Sequence, residues 1–114
     1  MSSFRFVVLA SGSGTNLQAI IDSLHRREGI EVAAVGSDKP AAHALRRAVE
    51  AGIDTAVFPV DAYEDRIARD LAMADWVDFH RPDLIVLAGY MQLLSEPFVA
   101  RFRGRIVNVH PALL

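Results

Sequence analysis

Cysteine is absent from the 114-residue chain, and its absence excludes a disulfide framework and any thiolate metal site. Long apolar runs are missing as well: residues 6–10 are too few for a signal-peptide core and far too few to span a bilayer. An excess of positive charge is also missing, since the formal net charge is −2. No overall field therefore favours nucleic acid or an anionic membrane. We expect a cytoplasmic protein that binds neither.

The composition is that of a folded domain. The chain is 52% hydrophobic and 23% charged, which suits one soluble globular unit with a real core. No internal repeat, low-complexity tract or Pro/Gly-rich linker interrupts it. We therefore predict that residues 1–114 form a single domain.

Short β-branched segments alternate with segments of helical apolar spacing. The first kind predicts strands and the second predicts helices. A capping-box spacing of Thr15 with Gln18 predicts one helix start, and Asp61 with Glu64 predicts another. Pro59 indicates an edge strand or a strand end. The predicted strands cover residues 4–10, 31–36, 54–60, 83–88 and 105–109, and the predicted helices cover residues 15–28, 41–51, 61–80 and 95–102.

This alternation predicts an α/β fold of the Rossmann-like, doubly wound kind: a mostly parallel sheet with helices on both faces. Ligands of such sheets bind outside the carboxyl ends of the strands. The chain stops at Leu114 just after a strand, where an apolar terminus would leave a bare sheet edge. We therefore expect an incomplete sheet and a truncated chain, the front portion of a longer enzyme.

The glycine-rich stretch "LASGSGTNLQAIID" predicts an anion site. A Walker loop requires a lysine after the glycines, and none follows Gly12 or Gly14. The dinucleotide pattern G-x-G-x-x-G has leucine where its third glycine belongs, although Asp38 stands where a ribose-binding acid could be. A dinucleotide site is disfavoured but stays open. Backbone N–H groups at a helix N-terminus suffice for a monophosphate, and a plain tight turn is the other interpretation.

A second group of polar residues follows the last strand. By period-two alternation, Asn108 and His110 point to the same side. An amide donor and an imidazole suit a reaction that passes through an oxyanion, although either residue could be structural. Met91, Leu93 and Leu94, after the preceding strand, could form the wall of an apolar ligand pocket or plain core.

The motifs "SGSGTNLQAIID", "LAGYMQLL" and "NVHPALL" together resemble the glycinamide ribonucleotide formyltransferases of purine synthesis, in order and in spacing, over essentially the whole chain. The resemblance implies formyl transfer from 10-formyltetrahydrofolate to the amine of phosphoribosyl glycinamide, both small molecules. It implies that Asn108 stabilises the oxyanion and that His110 carries the proton, with no metal. The substrate phosphate would be held by Gly12, Ser13, Gly14, Thr15 and Asn16, and the folate by Arg66, Met91, Gln92, Leu93, Leu94 and Asn108.

Two departures from the family follow from the same resemblance. Gln92 stands where family members often have arginine or lysine. The aspartate that tunes the family's histidine lies beyond position 114, so a truncated chain could be inactive. Two other functions stay open. One is a Rossmann-type nucleotide-binding module. The other is a different folate-dependent formyltransferase, such as methionyl-tRNA formyltransferase, which shares the Asn-x-His-Pro end.

Overall fold

The computed structural model describes residues 3–109. Within this range strands and helices alternate, with one 3-10 turn at Val60–Ala62. The strands are β1 (Phe4–Leu9), β2 (Ile30–Ser37), β3 (Asp54–Val57), β4 (Leu84–Ala88) and β5 (Ile106–Val109). The helices are α1 (Thr15–Leu24), α2 (His43–Glu50), α3 (Arg66–Phe79) and α4 (Glu96–Arg101).

The five described strands form one sheet in the order β3-β2-β1-β4-β5, and every neighbouring pair is parallel. Alternate residues of each strand point to opposite faces, and two apolar clusters result. Val7 and Leu9 pack on one face with Met73 of α3 and Phe98 of α4. Residues such as Val8 pack on the other face with side chains from α1 and α2. The predicted doubly wound architecture with helices on both faces is confirmed.

The third helix begins later than predicted. The spacing of Asp61 and Glu64 placed its start at Asp61, but α3 begins at Arg66. Asp65 is the residue that caps it, because its Oδ1 accepts the backbone N–H of Ala68 at 2.8 Å. The chain after Pro59 forms the short 3-10 turn instead. A capping-box pattern identifies a candidate start, and the side chain that reaches the orphan N–H decides which candidate is used.

The first helix ends earlier than predicted, at Leu24 rather than Glu28. His25 leaves the helical conformation with ψ 129°, and its Nδ1 accepts the backbone N–H of Val32 at 3.1 Å. This bond fastens the end of the helix to β2. Gly29 has φ +77°, so it shapes the turn into the strand rather than ending the helix.

The edge position of β3 agrees with the prediction from Pro59, although β3 ends at Val57. The remaining element boundaries lie within about two residues of their predicted positions, as is usual for helix and strand ends. The chain therefore places the carboxyl ends of all five described strands at one edge of the sheet, where a Rossmann-like fold binds its ligands.

Candidate active site

The strand order creates a crevice beside β1. From β1 the chain winds to β2 and β3 on one side, and then crosses to β4 and β5 on the other. Connections leave β1 and β4 in opposite directions, so the crevice at their carboxyl ends is the topological switch point. The turn that follows β1 and the loop that follows β4 both open into this crevice.

The turn after β1 presents unpaired backbone donors. Gly14 takes the left-handed conformation with φ +78° and serves as the N-cap of α1. The first intrahelical bond at this end runs from the N–H of Gln18 to the carbonyl of Gly14 at 2.7 Å. The preceding N–H groups of Thr15, Asn16 and Leu17 therefore have no partner within the helix. With the helix dipole behind them, they favour an anion.

The predicted capping box at this helix start is wrong. The cap residue is Gly14, which has no side chain, and no side-chain bond caps the helix. The amide of Gln18 instead donates to Asp22 at 2.9 Å. Because no capping side chain occupies the N–H groups of the first turn, they stay available to an external anion.

A cavity of about 160 Å³ lies in front of these donors. This is about five times the volume that one water molecule takes up in the liquid, about 30 Å³, so the cavity has room for a compact anion. The cavity brings together all the residues predicted to hold phosphate with the end of β4. Its lining consists of Gly12, Ser13, Gly14, Thr15, Asn16, Ala88 and Gly89.

Arg47 adds a positive charge beside this turn. Its Nε donates to the carbonyl of Ser13 at 2.8 Å, and another guanidinium nitrogen donates to Oε1 of Gln18 at 3.2 Å. The N–H of Ala44 donates to the carbonyl of Gly12 at 3.3 Å. Helix α2 thus supports the turn from behind. Sequence reasoning missed Arg47, since nothing in its local pattern distinguishes it from a solvated helix residue.

The loop after β4 presents apolar side chains to solvent. Met91 is 73% exposed and Leu93 is 72% exposed, whereas Leu94 and Tyr90 pack against the core cluster that contains Phe98. The structure therefore separates the two interpretations of this segment. Leu94 packs against the core, and Met91 and Leu93 provide an exposed apolar surface in the loop that follows β4.

Three hydrogen bonds fasten this loop to three different elements. The N–H of Met91 donates to the Ser11 hydroxyl at 2.7 Å. The amide of Gln92 donates to Oδ2 of Asp38 at 2.7 Å, and a third bond ties the loop's far end to α3. Asp38 is only 3% exposed, so its carboxylate lies beneath the loop. This placement does not support the ribose-binding role that a dinucleotide site would require.

The far end of the loop is held by a buried ion pair. Oδ2 of Asp70 accepts the N–H of Ser95 at 2.6 Å, and its other oxygen lies 3.2 Å from the guanidinium of Arg69. Both side chains of the pair are almost completely buried.

Burial also raises the pKa of Tyr90 above its ordinary value, so this phenol is neutral near pH 7 and does not act as a base.

The remaining predicted residues lie at different places. Asn108 is exposed on β5 and pairs with Leu87 of β4, which places it at the same sheet edge as the crevice. Arg66 is exposed on the first turn of α3. His110 lies outside the described residues, so its predicted approach to Asn108 stays a prediction.

Ser11, Asp70 and Arg47 are the site residues that sequence reasoning did not identify. Asp38 was considered only as a ribose-binding acid. Ser11 and Asp38 follow strands at the sheet edge where ligands bind, and that position is the signal that could have identified them. Asp70 and Arg47 lie within helices, and their contacts join residues 25 to 34 positions apart.

The described part of the chain holds no group of three or more His, Asp or Glu side chains that could bind a metal ion. Between residues 3 and 109 no helix is long and apolar enough to cross a membrane.

Comparisons with known proteins agree with this geometry. A family model described as "Formyl transferase" matches residues 4–114. The phosphoribosylglycinamide formyltransferase of Escherichia coli K12 is 46% identical over 112 residues, which cover 96% of this chain and 52% of that protein. The chain thus spans about half the length of the curated relatives it matches.

Solved structures give the same result. The crystal structure of glycinamide ribonucleotide transformylase 1 from Symbiobacterium toebii matches with a TM-score of 0.88 and 45% identity, covering 96% of this chain and 52% of that one. The phosphoribosylglycinamide formyltransferase of Brucella melitensis matches with a TM-score of 0.90 and 40% identity, covering 96% and 58%.

Proposed function

The chain belongs to the formyl transferase family, and from this premise we propose that it is the substrate-binding part of a phosphoribosylglycinamide formyltransferase. The reaction transfers a formyl group from 10-formyltetrahydrofolate to the amine of phosphoribosyl glycinamide, a step of purine synthesis in the cytoplasm. The observation that carries the proposal is the crevice at the switch point. There the glycine turn and Gly89, the first residue of the loop after β4, line one cavity, and Met91 and Leu93 of the same loop are exposed.

The turn after β1 would hold the phosphate of the ribonucleotide. The N–H groups of Thr15, Asn16 and Leu17 have no intrahelical partner, and Arg47 adds positive charge beside them. Each hydrogen bond between such a donor and an ionised phosphate oxygen is charge-assisted and stronger than a neutral one. The phosphate would anchor the ribonucleotide and leave its amine free to reach across the crevice.

The loop after β4 would hold the folate. The exposed side chains of Met91 and Leu93 supply apolar surface for the flat pterin ring, and Leu94 seats the loop on the core. Gln92 donates one of its two amide N–H groups to Asp38, which holds this side chain, and pterin recognition would fall to backbone groups. Arg66, exposed at the start of α3, supplies a positive charge suited to the carboxylates of a folate's glutamate tail.

The chemistry would take place at the end of β5. The substrate amine attacks the formyl carbon, and negative charge develops on the formyl oxygen. The side-chain amide of Asn108 donates a hydrogen bond to that oxygen, which lowers the barrier because the bond is strongest when the charge is fully developed. His110 would take the proton from the attacking nitrogen and pass it to the departing one.

Two measurements test this function. Titration of the chain with glycinamide ribonucleotide, and with the riboside that lacks the phosphate, measures what the phosphate contributes. We expect the ribonucleotide to bind at least about tenfold more tightly, since charged hydrogen bonds contribute about 1.5–3 kcal/mol each. Equal affinities would contradict the phosphate assignment.

The second measurement is formyl transfer by the native gene product that carries this chain. Formylated ribonucleotide and tetrahydrofolate should appear in equal amounts. A gene product that binds the ribonucleotide but formylates methionyl-tRNA instead would assign the chain to a different formyltransferase. Saturable binding of NAD without any transfer would favour the nucleotide-binding module.

A further inference from the structure

Ser11 makes two hydrogen bonds to the loop that follows β4. Its N–H donates to the carbonyl of Gly89 at 3.3 Å, and its hydroxyl accepts the N–H of Met91 at 2.7 Å. Ser11 is the second residue after β1 and immediately precedes Gly12, the first glycine of the turn. It therefore joins the turn that would bind phosphate to the loop that would bind folate.

The surroundings of Ser11 make this link rigid. Its side chain is 2% exposed, so solvent does not compete for the hydroxyl. Ala10, just before it, donates its N–H to the carbonyl of Gly36 at 2.9 Å, which fixes the end of β1 to β2. The Ser11 hydroxyl is therefore held at a fixed place between the end of β1 and the loop after β4.

The other two hydrogen bonds that hold the loop have acceptors outside the glycine turn. Gln92 is bonded to the buried carboxylate of Asp38, and Ser95 is bonded to the buried carboxylate of Asp70. Neither acceptor belongs to the glycine turn: Asp38 follows β2, and Asp70 lies on α3. The Met91 N–H is the one backbone donor of this loop whose acceptor belongs to the residue next to the glycine turn.

We propose, on the basis of the proposed function, that Ser11 is a positioning residue that couples the two substrate sites. Phosphate bound at the turn fixes residues 12–16. Through the Ser11 hydroxyl, it also orders Met91 and the exposed apolar loop that follows. After the ribonucleotide binds, the folate meets a loop that is already ordered. The entropy cost of ordering this loop therefore no longer reduces the affinity for the folate.

The test uses amide hydrogen exchange of the chain, measured by NMR with and without inorganic phosphate at matched ionic strength. In the wild type we expect phosphate to shift the amide resonances of Thr15 and Asn16 and to slow exchange at Met91 by about two- to fivefold. In Ser11→Ala, exchange at Met91 without phosphate should be about fivefold faster, the effect of losing one hydrogen bond. Phosphate should then no longer slow it.

Two further variants separate positioning from general stability. Ser95→Ala is a matched control, because Ser95 is equally buried and its hydroxyl has no partner among the described atoms. It removes a hydroxyl at the other end of the same loop without removing a hydrogen bond, and it should keep the phosphate effect at Met91. Ser11→Thr keeps the hydroxyl, and Ser11 lines a cavity of about 430 Å³, so this variant should keep the phosphate effect at Met91.

The outcomes distinguish the coupling from the proposed function. If phosphate shifts Thr15 and Asn16 but leaves exchange at Met91 unchanged in the wild type, the coupling is refuted and the phosphate site stands. If phosphate shifts neither residue, the phosphate site and the coupling both fail. A phosphate effect on Met91 that persists in Ser11→Ala also overturns the proposal. The wild-type measurement decides the question even if Ser11→Ala does not fold.

Discussion

The two glycines of the turn after β1 should respond in opposite ways to the same substitution. A Cβ added at Gly14 would lie 2.7 Å from the Cα of Ala44 and 2.9 Å from its Cβ, in contact with the backbone of α2. Gly14 also has φ +78°, which other residues rarely adopt. A Cβ added at Gly12 would meet no atom within 4 Å, and Gly12 is not among the residues with positive φ.

The loss of stability in Gly14→Ala follows from the positive φ of Gly14 and from the close contact with Ala44. The left-handed conformation costs an alanine about 1–2 kcal/mol, and forcing a methyl group into a packed contact costs about 1–3 kcal/mol. Gly14→Ala should therefore lower the free energy of unfolding by about 2–5 kcal/mol, a large part of the roughly 5–15 kcal/mol of an ordinary domain. Gly12→Ala should leave it unchanged or raise it by up to about 1 kcal/mol, because alanine restricts the unfolded chain.

Urea unfolding of the two variants and the wild type, followed by circular dichroism, measures both effects. The midpoint for Gly14→Ala should fall clearly below that of Gly12→Ala, and its thermal midpoint should fall by about 8–20 °C. Equal midpoints for the two variants would show that the turn and α2 do not approach as closely as the structure indicates. The comparison also shows that Gly14 variants are unsuitable as probes of binding alone.

Three further results are expected. Burial lowers the pKa of His25 and His80 below the ordinary 6.5, so the unfolded chain binds more protons than the fold. The contribution of these two histidines to the free energy of unfolding is then fully present above about pH 6.5 and is lost as the pH falls below it. A urea midpoint that stays constant between about pH 7.5 and 5.5 would contradict this. Asp70→Ala should cost about 3–5 kcal/mol in urea unfolding because it leaves buried Arg69 unpaired, and a smaller loss than in an exposed Asp→Ala variant would refute the pairing. Asn108→Ala should lower kcat of the native gene product about 10²–10³-fold with an unchanged thermal midpoint, and an unchanged kcat would remove Asn108 from the mechanism.

Local patterns predicted most of the architecture. Five short β-branched segments and the amphipathic segments between them predicted the type and order of every helix and strand, and right-handed crossovers leave few ways to assemble them. The prediction of an anion site in the glycine turn also follows from local sequence, because it needs only a strand, two glycines and a helix start.

Boundaries and caps were predicted less well, for a physical reason. Asp61 and Asp65 both have a side chain that can cap a helix, and only Asp61 has the capping-box spacing to a Glu. Asp65 is used because the chain before it forms a 3-10 turn after Pro59. His25 ends α1 early because it bonds to Val32 of the neighbouring strand, a contact that no helical periodicity can anticipate.

The sequence by itself determined the α/β class, the parallel order of elements and the resemblance to a formyltransferase, and it predicted an anion site at the glycine turn. These depend on residues close together along the chain, whose preferences act locally. Only the tertiary structure decided which acceptors hold the loop after β4. Ser11 and Met91 are 80 positions apart, and Asp38 and Gln92 are 54 apart. Burial and sheet order bring such pairs together, and neither is encoded in the short stretch around either residue.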